Sequence, residues 1–164
     1  MLQQDLWTAF SVKQWRNRTM TQEDKELLIK DLSARLPYMV KVKTLLKEPY
    51  TLKGLFDTEY GGVMVCLLGK FVPNNISPKT VNYPLSQIKP YLFPLSSMTD
   101  EQKEEYHYIV NYISPDDTDN WAEGEFVYMN QVEQLLHFYH INHLDWRGLI
   151  PKGLALDATG LNIY

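Results

Sequence analysis

The chain has 164 residues, of which 45% are hydrophobic and 22% charged. These values fit one globular domain, or two small modules sharing a core, and argue against a disordered chain. Net charge is −4 and Cys66 is the one cysteine, so a disulfide framework within the chain is excluded and a buried thiol is expected.

Residues 1–19 read as an N-terminal arm carrying Trp7, Phe10 and Trp15. Such rings are costly to leave in water, so the arm is expected to fold back on the body or to dock on another chain, including a second copy. Residues 20–98 read as a helix plus a small β-module, and 99–164 as a helical part packed on the same core. Thr21-Gln-Glu-Asp24 is a helix-start signal, and Leu28, Leu32 and Leu36 follow at helical spacing. A helix over 22–35, halted by Pro37, is predicted. Strands are predicted at 40–46, 50–56, 63–68 and 81–85, separated by Pro49, by Gly61-Gly62, and by the Pro73–Pro78 loop. The predicted class is α+β: a small curled antiparallel sheet or an SH3-like β-barrel with flanking helices, the barrel preferred.

A joint follows at 87–103. Pro90 and Pro94 each remove a backbone donor, which argues against a helix interior or a central strand there. Lys89 and Phe93, preceding them, are pushed toward extended geometry. Thr99 and Gln102 have the spacing of a capping box, with Asp100 and Glu101 suited to the positive end of a new helix. Tyr106, Ile109, Val110 and Ile113 form one helical stripe. A polar loop, 114–120, precedes a third amphipathic helix from about Val127, marked by Val132, Leu135, Leu136 and Tyr139. Pro151 and Gly153 imply short turns near the end, and 154–156 could add an edge strand.

Three stretches together carry a resemblance: Asp31-Leu-Ser-Ala-Arg-Leu-Pro-Tyr-Met-Val-Lys-Val42, Ile88-Lys-Pro-Tyr-Leu-Phe-Pro-Leu-Ser-Ser-Met-Thr99 and Leu144-Asp-Trp-Arg-Gly-Leu-Ile-Pro-Lys-Gly-Leu-Ala-Leu156. Most of 21–156 resembles an uncharacterised family of small proteins from gut-commensal bacteria and their phages and mobile elements. The resemblance implies a cytoplasmic accessory protein, encoded by a phage or mobile element. It transfers no catalytic residue.

The chemistry-bearing residues point the same way. His137, His140 and His143 are spaced by three, and i,i+3 neighbours on a helix can share a metal. Three such residues fan around a helix, however, and no second cluster adds ligands, so a polar helix edge is expected and no metal. Asp116, Asp117, Asp119 and Glu125 lack the glycine and late glutamate of a calcium loop. There is no phosphate loop and no nucleophile elbow, and Cys66 in an apolar strand would ionise poorly. No catalytic residue and no cofactor are assigned.

Charge is uneven: residues 1–54 hold ten Lys/Arg against six acids, and 99–125 hold nine acids against Lys103. The acidic strip is a solvated face, or a surface for a basic partner. The basic front lacks the clustering of a nucleic-acid footprint. Asp145-Trp146-Arg147 is the best candidate contact, since Trp and Arg dominate interface hot spots; the competing reading is a turn capped by Asp145 over a buried Trp146. The candidate interaction residues are thus Trp7, Trp15, Asp116, Asp117, Asp145, Trp146 and Arg147. The expected function is non-enzymatic: binding, and inhibiting, a host or phage protein. The alternative is a small-ligand or nucleotide binder with an aromatic pocket. No apolar run is long enough to span a bilayer and no secretory signal is evident, so a cytoplasmic location with no membrane contact is expected.

Overall fold

The computed structural model describes residues 20–44, 49–59, 62–69, 80–111 and 121–164. Helix α1 spans Gln22–Ala34, and its first turn is closed by the Thr21 hydroxyl, which accepts from the Asp24 amide at 3.1 Å. Leu28 and Leu32, on one face a turn apart, are fully buried. A 3₁₀ turn at Leu36–Tyr38 ends the helical run, and Met39 then takes a left-handed conformation, φ 54°.

Among the described residues six strands follow: β1 Lys41–Lys43, β2 Tyr50–Asp57, β3 Val63–Leu68, β4 Thr80–Pro84, β5 Lys89–Leu92 and, near the end, β6 Leu156–Asp157. They lie in the order β4-β3-β2-β1-β5-β6, antiparallel except for the parallel β5–β6 pair. The α+β class is therefore as expected. The sheet is mixed and open, so the preferred barrel gives way to the curled sheet. β4 and β6 stand at opposite ends of the order, and a two-residue β6 offers too little ladder for closure. The β2–β3 register shifts between Leu52 and Gly54, which leaves Lys53 as the extra residue of a bulge that sharpens the local twist.

The joint behaves differently from the sequence reading in one respect. Pro90 lies inside β5, a strand with neighbours on both sides, opposite Val42 of β1. The β6 pairing begins only at Tyr91, so at Pro90 itself the strand is paired on the β1 side alone. A proline is tolerated where one side of the ladder makes no demand on its missing donor.

After a 3₁₀ turn at Leu95–Ser97, α2 covers Asp100–Asn111 and α3 covers Trp121–Ile141, so α3 begins earlier than the periodicity implied. The capping box at the start of α2 is formed: the Thr99 amide donates to Gln102 Oε1 at 2.9 Å, and the Gln102 amide to Thr99 Oγ1 at 3.2 Å.

Two apolar clusters hold the layers together. The larger joins Leu28 and Leu32 of α1 to Val42, Leu52, Val65, Leu67 and Leu92 of the sheet and to Leu149 and Leu154 of the closing turns. The smaller packs Ile109 of α2, Phe138 of α3 and Leu144, with Phe93 and Met98 against them. The joint feeds both: Ile88 and Leu92 enter the first, Phe93 and Met98 flank the second. Burying one such leucine contributes roughly 1.5–3 kcal/mol, so each cluster requires the joint to stay in register.

Candidate functional site

The polar centre of the molecule begins on α1. Asp31 and Arg35 sit one turn apart on the same stripe as Leu28 and Leu32, and both side chains are fully buried. Arg35 Nε donates to Asp31 Oδ2 at 2.6 Å and Arg35 Nη2 to the Leu144 carbonyl at 2.8 Å. Arg147 approaches from the turn after α3, its Nε 3.4 Å from Asp31 Oδ1. One carboxylate therefore faces two guanidinium groups.

Arg147 also lies over the Trp146 ring, 3.9 Å from its centroid, and Trp146 stacks on Tyr139 at 5.7 Å and 15°. The Trp146 indole N–H donates to His140 Nε2 at 3.4 Å. An indole only donates, so His140 must be neutral at that nitrogen. Its pKa agrees, pushed down to about 4 by burial first and by the Arg35 charge next, with Asp31 opposing. A ring so held accepts a hydrogen bond and does not take up a proton near neutrality.

Asp145 is buried and turned inward. Its two oxygens accept from the Leu149 and Ile150 amides at 2.8 and 2.7 Å, which fixes the turn that carries Trp146 and Arg147. Gly148, at φ 71°, supplies the left-handed step within that turn. Of the Asp145-Trp146-Arg147 triplet, Asp145 thus builds the turn, while Trp146 and Arg147 are half-buried beside α3. Trp7, Trp15, Asp116 and Asp117 lie outside the described residues.

Beside this centre lies a cleft of about 910 Å³ between Tyr38 and α3, lined by Tyr38, Val132, Glu133, Leu136, His137 and His140. The Tyr38 hydroxyl is hydrogen-bonded to His137 Nδ1 at 2.9 Å, and the Tyr38 ring lies 5.6 and 5.5 Å from the His137 and His140 rings. Met39, next to Tyr38, is 55% exposed, and Val132 and Ile141 of α3 are also exposed.

The three histidines part company. His137 faces Tyr38, His140 faces Trp146, and His143, past the end of α3, stacks on Tyr164. Among the described residues no group of three His, Cys, Asp or Glu could hold a metal ion. Cys66 on β3 is half-buried. No family model, curated protein or solved structure matches the chain. No described helix is long and apolar enough to cross a membrane.

Sequence reasoning singled out the Trp146 turn and missed Tyr38, Met39 and the Asp31–Arg35 pair. The pair had a local signal: opposite charges at i,i+4 inside an apolar stripe. The cleft had none, because Tyr38 and His137 meet across 99 positions of chain.

Proposed function

We propose that the protein is a non-enzymatic interaction module that takes an apolar segment of a protein partner into the cleft between Tyr38 and α3, next to the exposed Met39. The observation that carries this reading is Met39. It is a non-glycine residue at φ 54°, and it presents an apolar side chain to solvent. That backbone state costs on the order of 1–3 kcal/mol, and such strain is kept where a side chain must be presented. Methionine adapts to varied apolar partners. Val132 and Leu136 give the cleft an apolar lining, while His137, Gln134 and Glu133 offer polar contacts in it. The resemblance to phage and mobile-element proteins makes a cytoplasmic host or phage protein the natural partner class.

A nucleotide or other flat ligand is the competing reading. It is less favoured because Tyr139, Trp146 and Arg147 are engaged with one another, and among the described residues Tyr38 is the one phenol or indole ring that lines the cleft.

Capture from lysate with wild type, Met39→Glu and Lys53→Glu as a remote surface control tests the proposal. A partner held by wild type and the control but lost with Met39→Glu supports it. Equal capture by all three overturns it, as does a nucleotide that raises the melting temperature of wild type and not of Tyr38→Ala.

A further inference from the structure

The hydroxyl of Tyr164 is built into the sheet. Val42 pairs with Pro90 and Lys43 with Lys89, so the next pair in this antiparallel ladder is Lys41 with Tyr91. Hydrogen-bonded and non-bonded pairs alternate along such a ladder. Pro90 has no N–H, which suits the non-bonded position and makes Lys41–Tyr91 a bonded one. The direct bond is replaced: the Lys41 amide donates to the Tyr164 hydroxyl at 3.1 Å, and that hydroxyl donates to the Tyr91 carbonyl at 2.6 Å. A phenol oxygen stands where a rung of the ladder would be.

The ring has a wall on two sides, while 42% of the residue's surface stays exposed. Tyr164 stacks on His143 with centroids 3.8 Å apart at 17°, and Phe93 packs at 5.8 Å. These two walls are tied to each other, since the Phe93 amide donates to the His143 carbonyl at 2.9 Å and the Asp145 amide to the Phe93 carbonyl at 2.8 Å. His143 keeps its place at the cost of a left-handed backbone, φ 52°. Its Nδ1 is buried and makes no hydrogen bond among the described residues, so Tyr164 does not satisfy every polar atom of the slot. Burial raises the Tyr164 hydroxyl well above the ordinary phenol range and lowers His143 to about 4. The Tyr164 hydroxyl is protonated, as donation to the Tyr91 carbonyl requires. The stretch that leads to Tyr164 has no helix or strand after β6, and Leu161 within it is 48% exposed.

We propose that the β1–β5 seam is a phenol-binding site, filled in cis by Tyr164 and open to a para-substituted phenol when Tyr164 is withdrawn. The recognition elements are one amide donor, one carbonyl acceptor and two ring walls. They select a hydroxyl at the far end of an aromatic ring. A free phenol and a tyrosine side chain from a second chain offer the same chemistry.

Thermal melting of wild type and Tyr164→Gly with p-cresol, with toluene, and with the peptide Leu-Asn-Ile-Tyr tests this. Tyr164→Gly should melt below wild type. Millimolar p-cresol should restore part of the loss saturably, toluene should restore less, and wild type should not respond. Rescue by p-cresol supports a site open to small phenols, and rescue by the peptide alone supports one that takes tyrosine side chains. Rescue by neither, or equal responses of wild type and variant, overturns the proposal. If Tyr164→Gly does not fold, Tyr164→Phe keeps the ring and removes the hydroxyl. The Lys41 amide should then exchange with solvent about tenfold faster, and an unchanged rate overturns the proposal.

Discussion

Asp31 in the last turn of α1 and Arg35, the residue that caps its C-terminus, form an ion pair 2.6 Å long in which neither side chain has any solvent exposure. Taking two charges out of water is costly, and the pair recovers that cost only through added hydrogen bonds. Arg35 gains one from the Leu144 carbonyl, and Asp31 also faces Arg147. The match is still incomplete, because Arg35 Nη1 and Arg147 Nε make no hydrogen bond among the described residues. Asp31→Asn leaves two guanidinium groups facing a neutral amide and should destabilise by about 3–5 kcal/mol in urea titration. Asp31→Leu combined with Arg35→Met should cost less than the two single changes added, since Arg147 is then the one guanidinium left without its carboxylate. Additive costs would show that the pair is not a coupled unit.

Asp145 is the second anchor of the same region. Both its oxygens are used, one on each of two neighbouring amides. Asp145→Asn keeps one acceptor and turns the other into a donor that faces an N–H. Hydrogen bonds to a charged acceptor contribute about 1.5–3 kcal/mol each, so a loss of that order is expected from either Asp145→Asn or Asp145→Ala. Trp146 fluorescence should change with it, because the turn positions Trp146 against Tyr139. A stability loss with unaltered native fluorescence would mean that Asp145 anchors the turn without setting the place of the indole.

What the sequence made legible was local. Thr21 and Thr99 cap their helices because a cap needs only residues three apart, and both hydrogen bonds are formed. Strand β3 falls on the predicted residues because Val63–Leu68 is an uninterrupted apolar run between turn signals. Pro90 was a misleading sign: its cost depends on which side of the strand is paired, and that is fixed by β6, more than sixty positions later. The same distance hides the candidate sites. Asp31 meets Arg147, Tyr38 meets His137, and Lys41 meets Tyr164, each pair joined across most of the chain. No periodicity or motif links residues so far apart.

The capping box also ties α2 to α3. Gln102 accepts from Thr99 and donates through Nε2 to Asn142 Oδ1 at 2.9 Å, and Asn142 Nδ2 donates to the Phe138 carbonyl at 3.0 Å. Thr99→Ala removes one cap bond and should cost about 0.5–2 kcal/mol. Gln102→Ala removes the other cap bond and the link to α3, so it should cost at least as much. Amide exchange should separate the two. Thr99→Ala should loosen the first turn of α2 alone, while Gln102→Ala should also loosen the end of α3. Identical exchange patterns would argue that the Gln102–Asn142 contact contributes nothing.

Acid should weaken the fold through two histidines. His140 and His143 are both pushed down to about 4, each by burial first and by the Arg35 charge next. Unfolded, each returns to the ordinary value near 6.5, so between about 4 and 6.5 the unfolded state binds more protons. The contribution of each ring is therefore fully present above about 6.5, falls as the pH drops, and is gone below about 4. The slope is at most about 1.4 kcal/mol per pH unit for each ring. Carboxylates titrate over the lower part of the same range, so the comparison must be made with variants. His140→Gln keeps an acceptor for the Trp146 indole. His143→Asn keeps a residue that tolerates the left-handed backbone. Urea midpoints of the double variant should change less between pH 6.5 and 4.5 than those of wild type. Parallel pH profiles would place the acid sensitivity in the carboxylates.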